Sequence, residues 1–434
     1  MHPETSCCAT RGEPERVQME ASARIFRRES GRLVAALTRL FGVHNLALAE
    51  DVVQDAFSRA LEVWDVDGLP ENPSAWLMTT AKNRALDIVR RERTARRFAP
   101  EMGRLLDTEW TLTPLVDEAF AAHTVRDEQL RMMFSCCHGK LSEEAQLALI
   151  LNILCGFGAH EIASALLVSR AAIEKRILRG KKLLAGSQRL FELGGADFSA
   201  RASTVRHALY LLFNEGYQGA SATVRRELCA EALRLTELLL EYPPAATPTT
   251  YALGALFCLH AARLPAKLDA DGELNPLAEQ DRSRWDTRLA SEGLRLLEHS
   301  AAGSELSAYH LEAAIAAVHI SARTLADTDW PAIVALYDRL QGVAPSPVVA
   351  LNRAIAVGQR DGAQRGLAEL HEISDRDRLA AYPFYSAAIG EFELRRGERA
   401  RAQQHFEAAL RLGRNDAERR FLAKRVLACA AGDA

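Results

Sequence analysis

Between Trp76 and Arg97 the chain reads WLMTTAKNRALDIVRRERTARR. At helical spacing Leu77, Ala81, Ala85 and Ile88 fall on one side, while Asn83, Asp87, Arg90 and Arg97 run along another. The apolar side would seat the helix on a domain, with Trp76 either in the core or at its rim. Amide and guanidinium groups on a rigid rod can neutralise phosphates and hydrogen-bond unpaired bases. A solvated basic face is the plain alternative, and Asp87 has the option of an i,i+4 pair with Arg91.

A second stretch, HEIASALLVSRAAIEKRILRGKKLL, gives a short helix (Ala159 to Leu166), a tight turn (Leu167 to Ser169) and a longer helix from Arg170. That is the layout of a helix-turn-helix, whose second helix enters the major groove. Ser169 is placed as its N-cap and Ala163 is small enough for a close helix crossing. Ile162, Leu166, Ile173 and Ile177 supply the packing. The outer side offers Arg170, Glu174, Lys175, Arg176, Arg179, Lys181 and Lys182. Its cations suit phosphates and guanine edges, whereas Glu174 can accept from cytosine or pair with a residue four positions away. Gly180 should weaken the helix by about 1 kcal/mol relative to alanine and promote fraying there. A generic helical hairpin is the competing reading.

The third pattern is acidic. In AEDVVQDAFSRALEVW (Ala49 to Trp64), Val52, Val53, Ala56, Phe57 and Ala60 face a core and leave Glu50, Asp51, Gln54 and Asp55 outside. This face suits a basic protein partner, against the alternative of an ordinary solvated surface.

Signs of catalysis are weak. Cys136, Cys137 and His138 invite a metal reading, but adjacent cysteines seldom both reach one ion and no second ligand pair follows at finger spacing. The eight cysteines include no CxxC, so buried thiols are expected, with no metal and no cofactor. Glu215 lacks a general-base partner in sequence, which favours a polar contact at a helix end over a hydrolase role.

The elements that must carry these faces are helical. The chain has 434 residues, 48% hydrophobic and 6% aromatic, with helix formers dominant. That implies an all-α fold of about three domains. Net charge is -3, and residues 1–190 hold 26 Lys+Arg against 25 Asp+Glu, leaving 28 against 32 for the rest. Any nucleic-acid surface must therefore be local. No run is long and apolar enough for a membrane span, and the start MHPETSCCATRGEPER lacks an apolar leader core, so a cytoplasmic protein is expected.

Residues 1–18 read as a disordered tail, 19–98 as a first helical domain and 99–126 as a linker containing Pro100 and Pro114. In the first domain helices are expected over Ser22 to Phe41 and Leu48 to Trp64, followed by a break from Gly68 to Pro73, with Asn72 or Ser74 capping the next. Residues 127–190 form the helix-turn-helix domain, where Ser142 starts a helix whose buried stripe is LALILNIL. Residues 191–298 form a further helical domain, with LYLLFNEGYQGAS ending a helix at Gly216 and EQDRSRWD starting a charged one. Residues 299–434 read as degenerate repeats of tetratricopeptide type: Gly362 precedes Gly397 by 35 positions, and Gly390, Ala402, Phe406 and Ala409 fall at repeat spacing.

In order, AEDVVQDAF, AWLMTTAKNRALDIVRR and the helix-turn-helix resemble the sigma-70 class of bacterial RNA polymerase specificity subunits, in its extracytoplasmic-function branch. The likeness covers roughly residues 20 to 190. SCCHGKLSEEAQLAL, LYLLFNEGYQGAS, LDADGEL and EQDRSRWD resemble the subgroup with a long C-terminal extension ending in tetratricopeptide-like repeats. The resemblance implies a factor without catalytic activity that binds the clamp and flap of core polymerase and directs initiation at promoter DNA. It implies Asp51, Gln54 and Asp55 toward the clamp, and Asn83, Arg84, Asp87, Arg90 and Arg91 toward the minus-10 strand. Ser169, Arg170, Glu174, Lys175, Arg176 and Arg179 are implied at the minus-35 element. Glu174 and Gly180 depart from the family's usual pattern. The extension would take a protein or peptide ligand, or gate the DNA-binding domains. A helix-turn-helix regulator with a helical sensor domain is the alternative; it leaves the acidic helix without a role.

Overall fold

A computed structural model describes residues 12–95, 117, 120, 122–137, 139–166, 168–186, 195–218, 226–269, 274–413 and 416–430. The chain divides into two compact units, one up to Ala208 and one from Leu209. This boundary falls later than the change of character expected near residue 190. Among the described residues all regular structure is helical, apart from one isolated bridge between Leu268 and Leu274.

In the first unit α1 runs Gly12–Phe41, beginning inside the stretch expected to be a disordered tail. Gly42, at φ 81, turns the chain into a 3-10 turn and then α2, Leu46–Asp67. Gly68 ends α2 at φ 80, a left-handed conformation that a Cβ would strain. Pro73 then opens α3, Pro73–Ala95. Asn72 is the cap: its Oδ1 accepts from the Ala75 amide at 3.0 Å. Ser74, the other candidate, donates instead to Glu29 of α1 at 2.9 Å, and Glu29 also holds Arg32 at 3.0 Å. Asn72→Ala should therefore cost about 1 kcal/mol in urea unfolding, whereas Asn72→Ser should restore most of the loss.

The remaining helices of this unit carry the helix-turn-helix. They are α4, Ala122–Cys136, α5, Glu143–Leu149, α6, Ala159–Leu166, and α7, Arg170–Ala185. The linker expected over 99–126 lies mostly outside the described residues, and α4 begins within its last part. α5 is capped by Ser142, whose hydroxyl accepts from the Ala145 amide. It passes into a π turn, Ile150–Leu154, that is buried except at Asn152. Asn152 closes that turn by donating to the Phe157 carbonyl at 2.9 Å. Cα–Cβ space is absent at Gly31, where an added Cβ would lie 2.2 Å from the Leu154 carbonyl oxygen. α1 is thus packed backbone to backbone on the π turn, and Arg39 on α1 pairs with the buried Glu128 of α4 at 3.0 Å.

α8, Gly195–Gln218, contributes residues up to Ala208 to the first unit and the rest to the second. It runs two residues past Gly216, the expected helix end, and Gly216 is buried. The second unit continues with α9, Arg226–Glu241, α10, Pro248–Ala261, a short α11, Leu264–Lys267, α12, Thr287–Ser300, and α13, Ala308–Ser321. EQDRSRWD forms a 3-10 turn, Arg282–Arg284, and its final Asp286 caps α12 through the Leu289 amide at 3.0 Å. Beyond lie α14, Trp330–Val343, α15, Pro347–Asp361, α16, Ala363–His371, α17, Pro383–Arg395, α18, Arg399–Arg411, and α19, Asp416–Ala430. Gly362 and Gly397 occupy matching turns, α15 to α16 and α17 to α18, at φ 95 and 84. Packing follows the small-residue spacing, since Gly390 sits against Phe406 of α18 and Gly358 and Gly366 both lie against Phe392.

Candidate nucleic-acid interface

α3 is seated by Leu77, Ala81, Ala85 and Val89, all buried. Val89 replaces the expected Ile88, which is half-buried, because the apolar stripe follows a strict four-residue step at its end. Trp76 resolves to the rim: half-buried, it meets the buried Trp64 edge-on at 5.5 Å. Trp64 also stacks on Phe26, which stacks on Phe57 at 4.7 Å. The opposite side of α3 leaves Asn83, Asp87, Arg90 and Arg91 exposed. Arg97 lies outside the described residues.

On α2, Val52, Val53, Ala56 and Ala60 are buried, Phe57 is half-buried, and Asp51, Gln54 and Asp55 are exposed. Two residues depart from the expected division of labour. Arg84 donates through Nε to Asp55 Oδ2 at 2.9 Å, tying a cation assigned to one face to a carboxylate assigned to another. Both groups are about half exposed, so the pair stabilises the fold by at most about 1 kcal/mol and is open to exchange with an external charge. Glu50 is not available outside; it accepts Lys181 of α7 at 2.6 Å.

The helix-turn-helix is built as its residues require. The Ser169 hydroxyl accepts from the Ala172 amide at 3.3 Å, with the extended backbone of an N-cap. Ile162, Ala163, Ile173 and Ile177 are buried, and Leu166 is half-buried. Ser169, Arg170, Glu174, Lys175 and Arg179 are exposed and Arg176 is half-buried, spread around the solvent side of α7 with the exposed Leu178 among them. Glu174 takes the pairing option, accepting Arg170 Nε at 2.7 Å. Gly180 does not fray the helix. It is buried at the crossing with α5, where a Cβ would come within 2.5 Å of Leu149 Cδ1, and α7 continues to Ala185. Lys181, expected among the exposed cations, is half-buried against Glu50. A spacing argument that treats each helix separately has no signal for the Arg84–Asp55 and Lys181–Glu50 pairs.

The thiols have a structural explanation. Cys136 and Cys137 are fully buried, and burial pushes both upward, Cys137 to about 12. They are thiols at any physiological pH, which suits core packing. His138 lies outside the described residues. Among the described residues no group of histidine, cysteine and carboxylate side chains could hold a metal, and no helix is long and apolar enough to cross a membrane.

Two parts of the first unit match known families. A family model described as sigma-70 region 2 matches residues 25–95, and one described as sigma-70, region 4 matches residues 131–184. A model for a family of unknown function matches residues 201–301. An uncharacterized protein, R00370, of Rhizobium meliloti (strain 1021) is 37% identical over 392 residues, which is 90% of this chain and 91% of the relative. The ECF RNA polymerase sigma factor SigK of Mycobacterium sp. (strain KMS) is 27% identical over 166 residues, 37% of this chain and 80% of the relative. No solved structure matches.

Proposed function

The chain belongs to the extracytoplasmic-function branch of the sigma-70 family, in a form with a helical C-terminal extension, and from that premise we propose that it is a dissociable initiation factor reading two promoter elements. Families of this kind are non-enzymatic initiation factors, with core RNA polymerase and promoter DNA as their partners. In the proposed division, Asp51, Gln54 and Asp55 dock on basic residues of the polymerase clamp. Asn83, Arg84, Asp87, Arg90 and Arg91 receive the minus-10 strand, and Ser169, Arg170, Glu174, Lys175, Arg176 and Arg179 read the minus-35 duplex.

The observation that carries the reading is that α3 and α7 each leave a polar, cation-bearing stripe exposed while burying the opposite side in the same unit. The two stripes suit different chemistry. α7 begins at a capped N-terminus, which projects Arg170 and Lys175 as the first turns of a groove-reading helix do. α3 offers Asn83 beside Arg90 and Arg91, which suits extruded bases and their phosphates better than an intact duplex. Breaking the Arg84–Asp55 pair on docking would hand Asp55 to the polymerase and Arg84 to the DNA, coupling the two events. The extension is proposed to regulate this activity.

Run-off transcription on genomic promoter fragments with purified core polymerase tests the proposal. Specific start sites that require both proteins are expected, together with poor DNA binding by the factor alone. Footprints without polymerase and no transcripts would instead make the chain an operator-binding regulator.

A further inference from the structure

Three motifs that promoter recognition does not use converge in the second unit. LYLLFNEGYQGAS supplies Tyr217, the segment entering LDADGEL supplies Lys267, and EQDRSRWD supplies Arg282 and Trp285. Arg263, between α10 and α11, joins them. The Arg282 guanidinium lies 4.8 Å from the centre of the Trp285 ring and that of Arg263 lies 5.9 Å from it. Lys267 sits over the Tyr217 ring, 3.3 Å from its centre, and donates to the Tyr217 carbonyl. His260 packs on Tyr217 at 4.9 Å, and His319 lies edge-on to Trp330 at 5.6 Å.

The charge of this cluster is one-sided. Among the described residues Arg263, Arg282 and Lys267 have no carboxylate within ion-pair distance, although Arg263 is only 8% exposed. Arg282 spends Nη1 on the His319 and Ala322 carbonyls at the end of α13. Glu312, on the same helix as His319, is held by the Tyr210 hydroxyl at 3.1 Å, and Asp286 is committed to its helix cap. Asp327 attracts Arg282 from the exposed loop after α13. Four buried donor-capable nitrogens are left without a protein partner: Arg263 Nε, Arg282 Nη2, Trp285 Nε1 and His319 Nδ1. His260 Nδ1 is a fifth. Buried cations without a counter-charge are costly, and so is each unmatched buried donor. Crowding by burial and by neighbouring cations lowers Lys267 to about 7 and both histidines to about 3.

We propose that this cluster is a binding site for a small oxyanion, a phosphate- or carboxylate-bearing metabolite, held by Arg263 and Arg282 against Trp285 with His319 and Lys267 at its edge. An oxyanion supplies acceptors and an ion-paired negative charge that the described side chains around the cluster do not, and planar guanidinium groups suit both classes. The unused Arg282 nitrogen couples the anion to the end of α13, so occupancy would be felt along the extension. The site lies in the second unit and does not depend on the assignment of the promoter-reading residues in the first.

Thermal unfolding of the full chain at constant ionic strength provides the test, with sodium phosphate and sodium succinate each compared against sodium chloride. A saturable rise of about 5–10 °C at roughly 100 times the dissociation constant is expected for at least one. Phosphate alone acting would mark a phosphorylated ligand, succinate alone a carboxylate. Arg263→Met should abolish the response, yet in chloride it should unfold no lower than wild type, because it removes an uncompensated buried cation. A purely structural Arg263 predicts the reverse, a lower midpoint in chloride. The pH at which the proton resonances of His260 and His319 titrate should rise as the anion binds. Absence of both the thermal and the histidine response in the wild-type chain would overturn the proposal, as would an undiminished response in Arg263→Met.

Discussion

Arg90→Ala/Arg91→Ala should reduce specific run-off transcripts by about 100-fold while leaving core-polymerase binding within about twofold of wild type. The magnitude follows from two exposed guanidinium groups on one rigid helix, each worth about 1–2 kcal/mol against phosphate or base. Their loss should also flatten the dependence of promoter binding on salt, by about one in the logarithmic slope for each cation removed. Asp51→Ala should do the opposite: core binding falls about tenfold, and transcription recovers when the factor is supplied in excess. Asp55→Ala is less clean, since it also releases Arg84 from its 2.9 Å pair. Gel-shift with labelled core separates the two classes. Equal losses of core binding in both variants would remove the division of α2 and α3 into a polymerase face and a DNA face.

The legibility of this chain depended on the range of each interaction. Caps and breaks were plain because they act over three or four residues: Ser142, Ser169 and the Gly68 to Pro73 break need only local backbone geometry. Exposed residues of α3 and α7 were legible for the same reason, as helical periodicity fixes which side must be dry. What escaped were contacts between elements far apart in sequence. Nothing in the spacing of α2 says that Glu50 meets Lys181 or that Asp55 meets Arg84. Tertiary packing reverses the usual meaning of glycine at Gly180, which is buried inside a continuous helix. The convergence of Arg263, Arg282 and Trp285 required the fold, although two of the three stood in a motif that the sequence set apart.

Gly31→Ala should be the most destabilising single-methyl change in the first unit, by about 3 kcal/mol, lowering its unfolding midpoint by roughly 6–12 °C. The reason is the nature of the neighbour. A Cβ at Gly31 would stand 2.2 Å from the Leu154 carbonyl oxygen and 2.8 Å from the carbonyl carbon, so backbone has to move. The π turn carrying Leu154 cannot yield cheaply, since Ile150, Leu151 and Ile153 beside it are fully buried. Gly180→Ala is the control. There the clash is with side-chain atoms of Leu149, Cδ1 at 2.5 Å and Cδ2 and Cγ at 2.9 Å, and not with backbone, and alanine returns about 1 kcal/mol of helix propensity. A smaller loss than at Gly31, about 1–2 kcal/mol after the gain in propensity, is therefore expected for Gly180→Ala. Urea unfolding of both variants checks the contrast, and a Gly31→Ala chain as stable as wild type would mean that α1 and the π turn are not in backbone contact in solution. The consequence reaches function, because α1 also anchors α3 through Glu29 and Ser74. Displacing α1 from the π turn would strain the support of α3, the helix proposed to receive the minus-10 strand, and of the helix-turn-helix together, so transcription should fall in parallel with stability and recover on cooling.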